Sequence, residues 1–150
     1  MTRLRLAALA ALVLALSGCG GGTSAADYRD EATGICETAT REAAAVAPPD
    51  DSAEPVAVYS DAVAEIRQRE TVALDELEPP DDLRADHTLL VNASGAIVRS
   101  LLDLARAAER GDRDAATAAA GAGSRAADQA RRAAEGLDLP ACGQPGQPRS

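Results

Sequence analysis

The chain contains no lysine, phenylalanine or tryptophan, and only one histidine. Tyr28 and Tyr59 are its only large aromatic side chains. Aromatics dominate burial in ordinary cores, so this core must be thin, built from Leu, Val, Ile and closely approaching alanines. Most of the missing residues use AT-rich codons, so the bias reads as the mark of a GC-rich genome and not as adaptation. Positive charge is scarce too: 15 arginines face 24 acids, a net charge of −9. Without a basic cluster, binding to nucleic acid phosphates is excluded, as is adhesion to anionic lipid through protein charge. No phosphate loop, GxSxG or HExxH occurs. The acidic stretches Asp50-Asp51 and Asp75 to Asp82 lack the spacing of a calcium loop and read as solvated turns.

What is present begins with a sorting signal. Arg3 and Arg5 precede an apolar run from Leu6 to Leu16, followed by the small pair Ser17-Gly18. Basic start, apolar middle and small residues at the cut describe a secretory signal peptide. At about eleven residues the run is too short for a permanent transmembrane anchor, which needs about twenty. The next residue is Cys19, and Leu16-Ser17-Gly18-Cys19 resembles a bacterial lipobox. That resemblance implies cleavage before Cys19 and a diacylglyceryl group on its thiol, whose two chains anchor a protein stably. The alternative is an ordinary signal peptide cut elsewhere, with Cys19 unmodified. The expected layout is a lipoprotein signal peptide over 1–18, a lipidated flexible tether over 19–26, a helical domain over 27–143 and a disordered tail over 144–150. Cleavage would remove two arginines and no acid, leaving 132 residues with 13 positive and 24 negative side chains, a net of −11.

Two further cysteines, Cys36 and Cys142, would then lie in a disulfide-permissive compartment. An even pair most simply forms one bridge. It would close a loop of about 107 residues, which the chain-entropy model equates with about 4–5 kcal/mol. The alternative, two free thiols serving redox chemistry, lacks a CxxC spacing.

Hydrophobic periodicity predicts four helices and no convincing strand. The first opens at Ser24 with Asp27 three residues on, a capping-box pair, and carries Tyr28, Ala32, Ile35, Ala39, Ala43 and Val46 before stopping at Pro48-Pro49. Cys36 lies at the edge of that stripe. The second starts near Pro55 and places Val56, Tyr59, Val63, Ile66, Glu70, Ala73 and Leu77 at heptad intervals. The third, from about Asp82 to Arg110, carries Leu83, His87, Leu90, Ser94, Ile97, Leu101, Leu104 and Ala108, with a second apolar set through Val91, Val98, Leu102 and Ala105. Gly111 is the expected C-terminal cap and Asp112 the next N-cap. The fourth runs from about Arg113 to Glu135 on Ala116, Ala119, Ala120, Gly123, Ala127, Ala130 and Ala134, with Gly136 as its expected cap. Short connections favour antiparallel neighbours, so the expected fold is an all-α, up-down-up-down four-helix bundle. Its last helix ends near the start of its first, where residues 137–142 can return Cys142 to Cys36.

Candidate functional residues are few. His87 adjoins Asp86, but sequence neighbours on a helix do not face each other. A lone histidine on an apolar stripe is expected to pack with one hydrogen bond and is not by itself a metal ligand. Glu70, His87 and Ser94 all fall on buried stripes and could meet in one polar pocket. The plainer expectation turns Glu70 to the rim and lets Ser94 bond its own helix backbone. Asn92-Ala93-Ser94 matches a glycosylation sequon by chance inside a helix.

Taken together, the LSGC lipobox, the first-helix segment YRDEATGICETA, the central LDELEPPDDLRADHTLL, the GD before the last helix and the closing LDLPACG resemble the small lipoproteins of high-GC Gram-positive bacteria. The resemblance spans most of residues 16 to 143. It implies a helical domain whose first-helix and C-terminal cysteines are paired, held at the extracytoplasmic face of the cell membrane. It implies no activity and no cofactor beyond the lipid. The function expected is a non-catalytic binding or interaction module with an envelope protein partner. The alternative is a small-ligand carrier or sensor with an inter-helix pocket; an enzyme is a third, needing a polar pocket open to solvent. Intact-mass measurement of membrane-extracted protein checks the start of the chain. The expected mass is that of residues 19–150 plus a diacylglyceryl group; a mature mass without lipid contradicts it.

Overall fold

The computed structural model describes residues 23–49 and 53–143. The signal peptide, Cys19 and the 144–150 tail lie outside the described residues. Within them the chain is entirely helical: α1 (Ala25–Ala45), α2 (Ala53–Asp75), α3 (Arg84–Glu109) and α4 (Arg113–Leu137). The segment read as tether is shorter than expected, since Ala25 and Ala26 already belong to α1.

Each helix end has a local cause. Ser24 Oγ accepts the Asp27 backbone N–H at 3.1 Å and donates to the Asp27 carboxylate at 2.7 Å. This meets one orphan donor and sets an acid against the positive helix end. At the α3–α4 junction Gly111 takes φ 65°, its N–H bonding Ala108 O and the Asp112 N–H bonding Ala107 O. These two bonds make a Schellman ending, and the Asp112 carboxylate then caps α4 through the Ala115 N–H. The end of α4 differs from expectation. The left-handed residue is Asp138, at φ 61° and ψ 44°, not Gly136. Leu139 N–H reaches Ala134 O at 2.8 Å and Leu139 is fully buried, so the hydrophobic latch forms two residues later. Gly136 serves packing instead: a Cβ there would sit 2.6 Å from Asp86 Oδ2 of α3.

The helices run up, down, up and down. Gly136 opposite Asp86 and Gly123 opposite Ser100 set α4 antiparallel to α3. Backbones approach most closely between α3 and α4 and between α2 and α3, while α1 approaches α2 at fewer places. The core is as thin as the composition requires. Tyr28, Leu74, Leu90, Leu137 and Leu139 are its large members, and Ala32, Ala93, Ala130, Ala133 and Ala134 fill the spaces between them. A smaller cluster joins Ala39 and Ala43 of α1 to Ile66 of α2.

By length and hydropathy α3 could cross a membrane. It is the bundle's central helix, packed between α2 and α4, and it buries His87, Ser94 and Ser100.

The inward face of α2 is wider than the heptad reading. Val63, Ile66 and Glu70 of that stripe are buried, and so are Ala57, Ser60, Ala64, Arg67 and Leu74, whereas Val56, Tyr59, Ala73 and Leu77 are half-buried. The small residues Ala57, Ser60 and Ala64 allow α3 close; the apolar stripe through Ile66 and Ala73 turns toward α1.

Two links hold α1 to the end of α4. The Cys36–Cys142 disulfide joins Cα atoms 5.0 Å apart across 106 residues of sequence. Arg29 Nε donates to Leu137 O at 2.8 Å, placing a cation at the negative end of α4.

Candidate functional site

The structure separates the three polar residues that the sequence placed on buried stripes. His87, one residue inside the α3 first turn from Asp86, meets Tyr28 of α1: Tyr28 Oη lies 3.0 Å from His87 Nδ1, with the rings edge to face at 5.7 Å between centroids. Both are buried. Burial raises the Tyr28 phenol's pKa, although Arg29 pulls it back. Burial also lowers the His87 pKa; Asp75 opposes that fall and Arg84 adds to it. Burial thus favours the neutral form of both groups, which share one hydrogen bond. His87 is a packed histidine with one hydrogen bond, as expected for its place on the stripe.

Glu70 and Ser94 do come together, but their third partner is Arg67. Arg67 Nη1 donates to Glu70 Oε2 at 2.7 Å, with side chains only 6% and 7% exposed. Glu70 thus does not turn to the rim. Its carboxyl is pushed up by burial, and the charge and hydrogen bond of Arg67 draw it back down. Arg67, Glu70 and Ser94 line a chamber of about 10 Å³ together with Ile97, Ala130 and Cys142. That is room for about one oxygen atom. Arg67 Nη2 is buried and, among the described residues, has no hydrogen-bond partner. An unpaired buried donor costs about 1–3 kcal/mol, so this corner of the core is held at a cost.

Arg67 was missed because a lone arginine in a helix reads as surface. The available signal was its spacing: Ser60, Arg67 and Leu74 fall seven apart on one buried line. Glu70 at i+3 then supplies the counter-charge that makes burial possible.

An open cleft of about 390 Å³ lies between α1 and α2. Ile35, Ala39, Ile66 and Ala73 line it with apolar surface, and Glu31, Glu42 and Arg69 contribute charge. Arg69 spans the two helices by donating to Glu42 at 2.7 Å while also bonding Glu65 on its own helix at 3.0 Å. Both pairs are about half-exposed or more, so each contributes at most about 1 kcal/mol. Gly34 also faces the cleft, and a Cβ there would meet nothing within 4 Å. Glu70 borders both the cleft and the inner chamber. Burial on an apolar surface with a few charged groups is what a small-molecule seat requires.

The His87 environment makes a pH prediction. Its folded pKa lies below the unfolded value of about 6.5, so the unfolded chain takes a proton first as pH falls. Its contribution to stability is complete above about 6.5 and is lost progressively below that. Denaturant titrations between pH 7.5 and 5.0 should show wild-type stability falling more steeply than that of His87→Gln; identical slopes would contradict the buried neutral histidine. No family model, curated protein or solved structure matches the chain.

Proposed function

We propose that the chain is a non-catalytic binding module of the bacterial cell envelope, anchored by lipid on Cys19 and seating a small amphipathic ligand between α1 and α2. The cleft is the observation that carries this reading. Its volume of about 390 Å³ falls in the range of small-molecule sites. A protein-docking module would favour an exposed apolar patch on α1 or α4. Among the described residues the exposed large apolar side chains are instead Val58 and Val72 of α2 and Leu89 of α3, single side chains of the kind every surface carries. This shifts the balance from a protein partner toward a ligand.

Anchoring and charge fit the same reading. The two chains of a diacylglyceryl group hold a domain at the bilayer, while a net side-chain charge of −11 after cleavage keeps the bundle from lying on anionic headgroups. The ligand seat would then stay open to the envelope.

Gly34 provides the test. A leucine side chain there extends into the cleft without meeting another group at its Cβ, and leucine ranks just below alanine as a helix former, whereas glycine costs about 0.8–1 kcal/mol relative to alanine. Thermal unfolding with a panel of aliphatic acids, alcohols and amines should reveal wild-type stabilisation that Gly34→Leu abolishes while itself folding at least as stably. No stabilisation across the panel, or stabilisation that survives Gly34→Leu, would contradict the cleft as the seat.

A further inference from the structure

Arg67 is buried in the inner chamber, which shares Glu70 with the cleft. Glu70 engages its Nη1, and among the described residues Nη2 has no partner. A carboxylate matched to the fork would take both arms in parallel, a geometry arginine favours strongly. Glu70 meets only one arm here, through Oε2 on Nη1. The inner chamber, at about 10 Å³, is too small to admit a carboxylate beside that of Glu70. An incoming carboxylate must therefore take the place of the Glu70 carboxylate.

Position 70 permits that exchange. On one side of it lie Ile66, Arg69 and Ala73, which line the cleft; on the other lie Arg67 and Leu74, which face the core. Glu70 itself borders both spaces, so rotation about its side-chain bonds moves the carboxylate from chamber to cleft. The rim does not bar an anion: Arg69 offsets Glu42, leaving Glu31 as the exposed acid without that balance, and its field is screened within about 8 Å at physiological salt.

We infer that Arg67 is the anchoring residue of the cleft and that its ligand is an amphipathic carboxylate, whose apolar body lies along Ile35 and Ile66 and whose carboxylate displaces Glu70 from the guanidinium. The inference rests on the cleft being the ligand seat. Glu70 is then an internal stand-in for the ligand: it neutralises Arg67 when the cleft is free and yields to a group that satisfies both arms. The burial that pushes the Glu70 carboxyl up works in the same direction, since a carboxyl held less firmly as an anion is more readily displaced.

Hexanoate and hexan-1-ol share a chain and differ in the polar end, so together they separate the two layers of the claim. NMR titration of the full chain, reading the Arg67 Nε–H signal, should give saturable movement with hexanoate and binding of hexan-1-ol weaker by about tenfold. Glu70→Ala should tighten hexanoate by about tenfold and leave hexan-1-ol unchanged. Glu70→Gln, which keeps shape without charge, should move in the same direction and replaces the alanine variant if that fails to fold. Equal binding of both probes, an unmoved Arg67 signal, or no gain from either Glu70 variant overturns the role of Arg67. If Gly34→Leu still blocks both probes in that case, the cleft remains the seat. If neither probe binds, or Gly34→Leu changes nothing, the seat itself is wrong and this inference falls with it.

Discussion

The Cys36–Cys142 bridge is the constraint from which the rest of this bundle follows. With two tyrosines and no other large aromatic, the chain has little apolar area to bury. α3 and α4 compensate by close approach through alanine and glycine, but α1 has no such partner along its length. What holds it is the disulfide at its middle, the Arg29 bond to Leu137 O and the Tyr28 bond to His87 in its first half, and the packing of Ala39 and Ala43 on Ile66 in its second. Closing a loop of about 107 residues corresponds to about 4–5 kcal/mol in the chain-entropy account. That is a large share of a typical total of about 5–15 kcal/mol.

The same arrangement explains the cleft. The first half of α1 is held against the core by these links, and its second half rests on α2 through Ala39, Ala43 and Ile66. Between those supports, Gly34 presents no side chain toward the cleft that Ile66 and Ala73 line. Small residues that give close packing between α3 and α4 leave an opening between α1 and α2, because there the backbones do not close the gap. The buried Arg67–Glu70 pair sits behind that opening, its charges balanced but its hydrogen bonds incomplete.

Much of the fold was legible in the sequence because its determinants are local. The Ser24 cap, the Gly111-Asp112 junction and the helix count follow from turn chemistry and periodicity, and the cysteine pair from parity and compartment. The inward face of α2 was not legible. Its apolar stripe through Ile66 and Ala73 is genuine but faces α1, while Arg67 meets Ser94 and Ile97 of α3. Which of two faces a helix buries deepest depends on how near each neighbour comes, and small residues decide that only in three dimensions. The polar candidates divide for a related reason. His87 and Ser94 share a stripe, but seven residues of helix separate them by about 10 Å. That spacing puts one against Tyr28 of α1 and the other against Arg67 of α2. Asp138 in the left-handed region was invisible for want of a glycine.

If the bridge is what places α1, its removal must be felt there first. Hydrogen exchange of the full chain before and after reduction of Cys36–Cys142 measures this helix by helix. The account predicts that reduction strips protection from the amides of α1 while α3 and α4 stay protected. Unchanged protection in α1, or equal loss in all four helices, would contradict it.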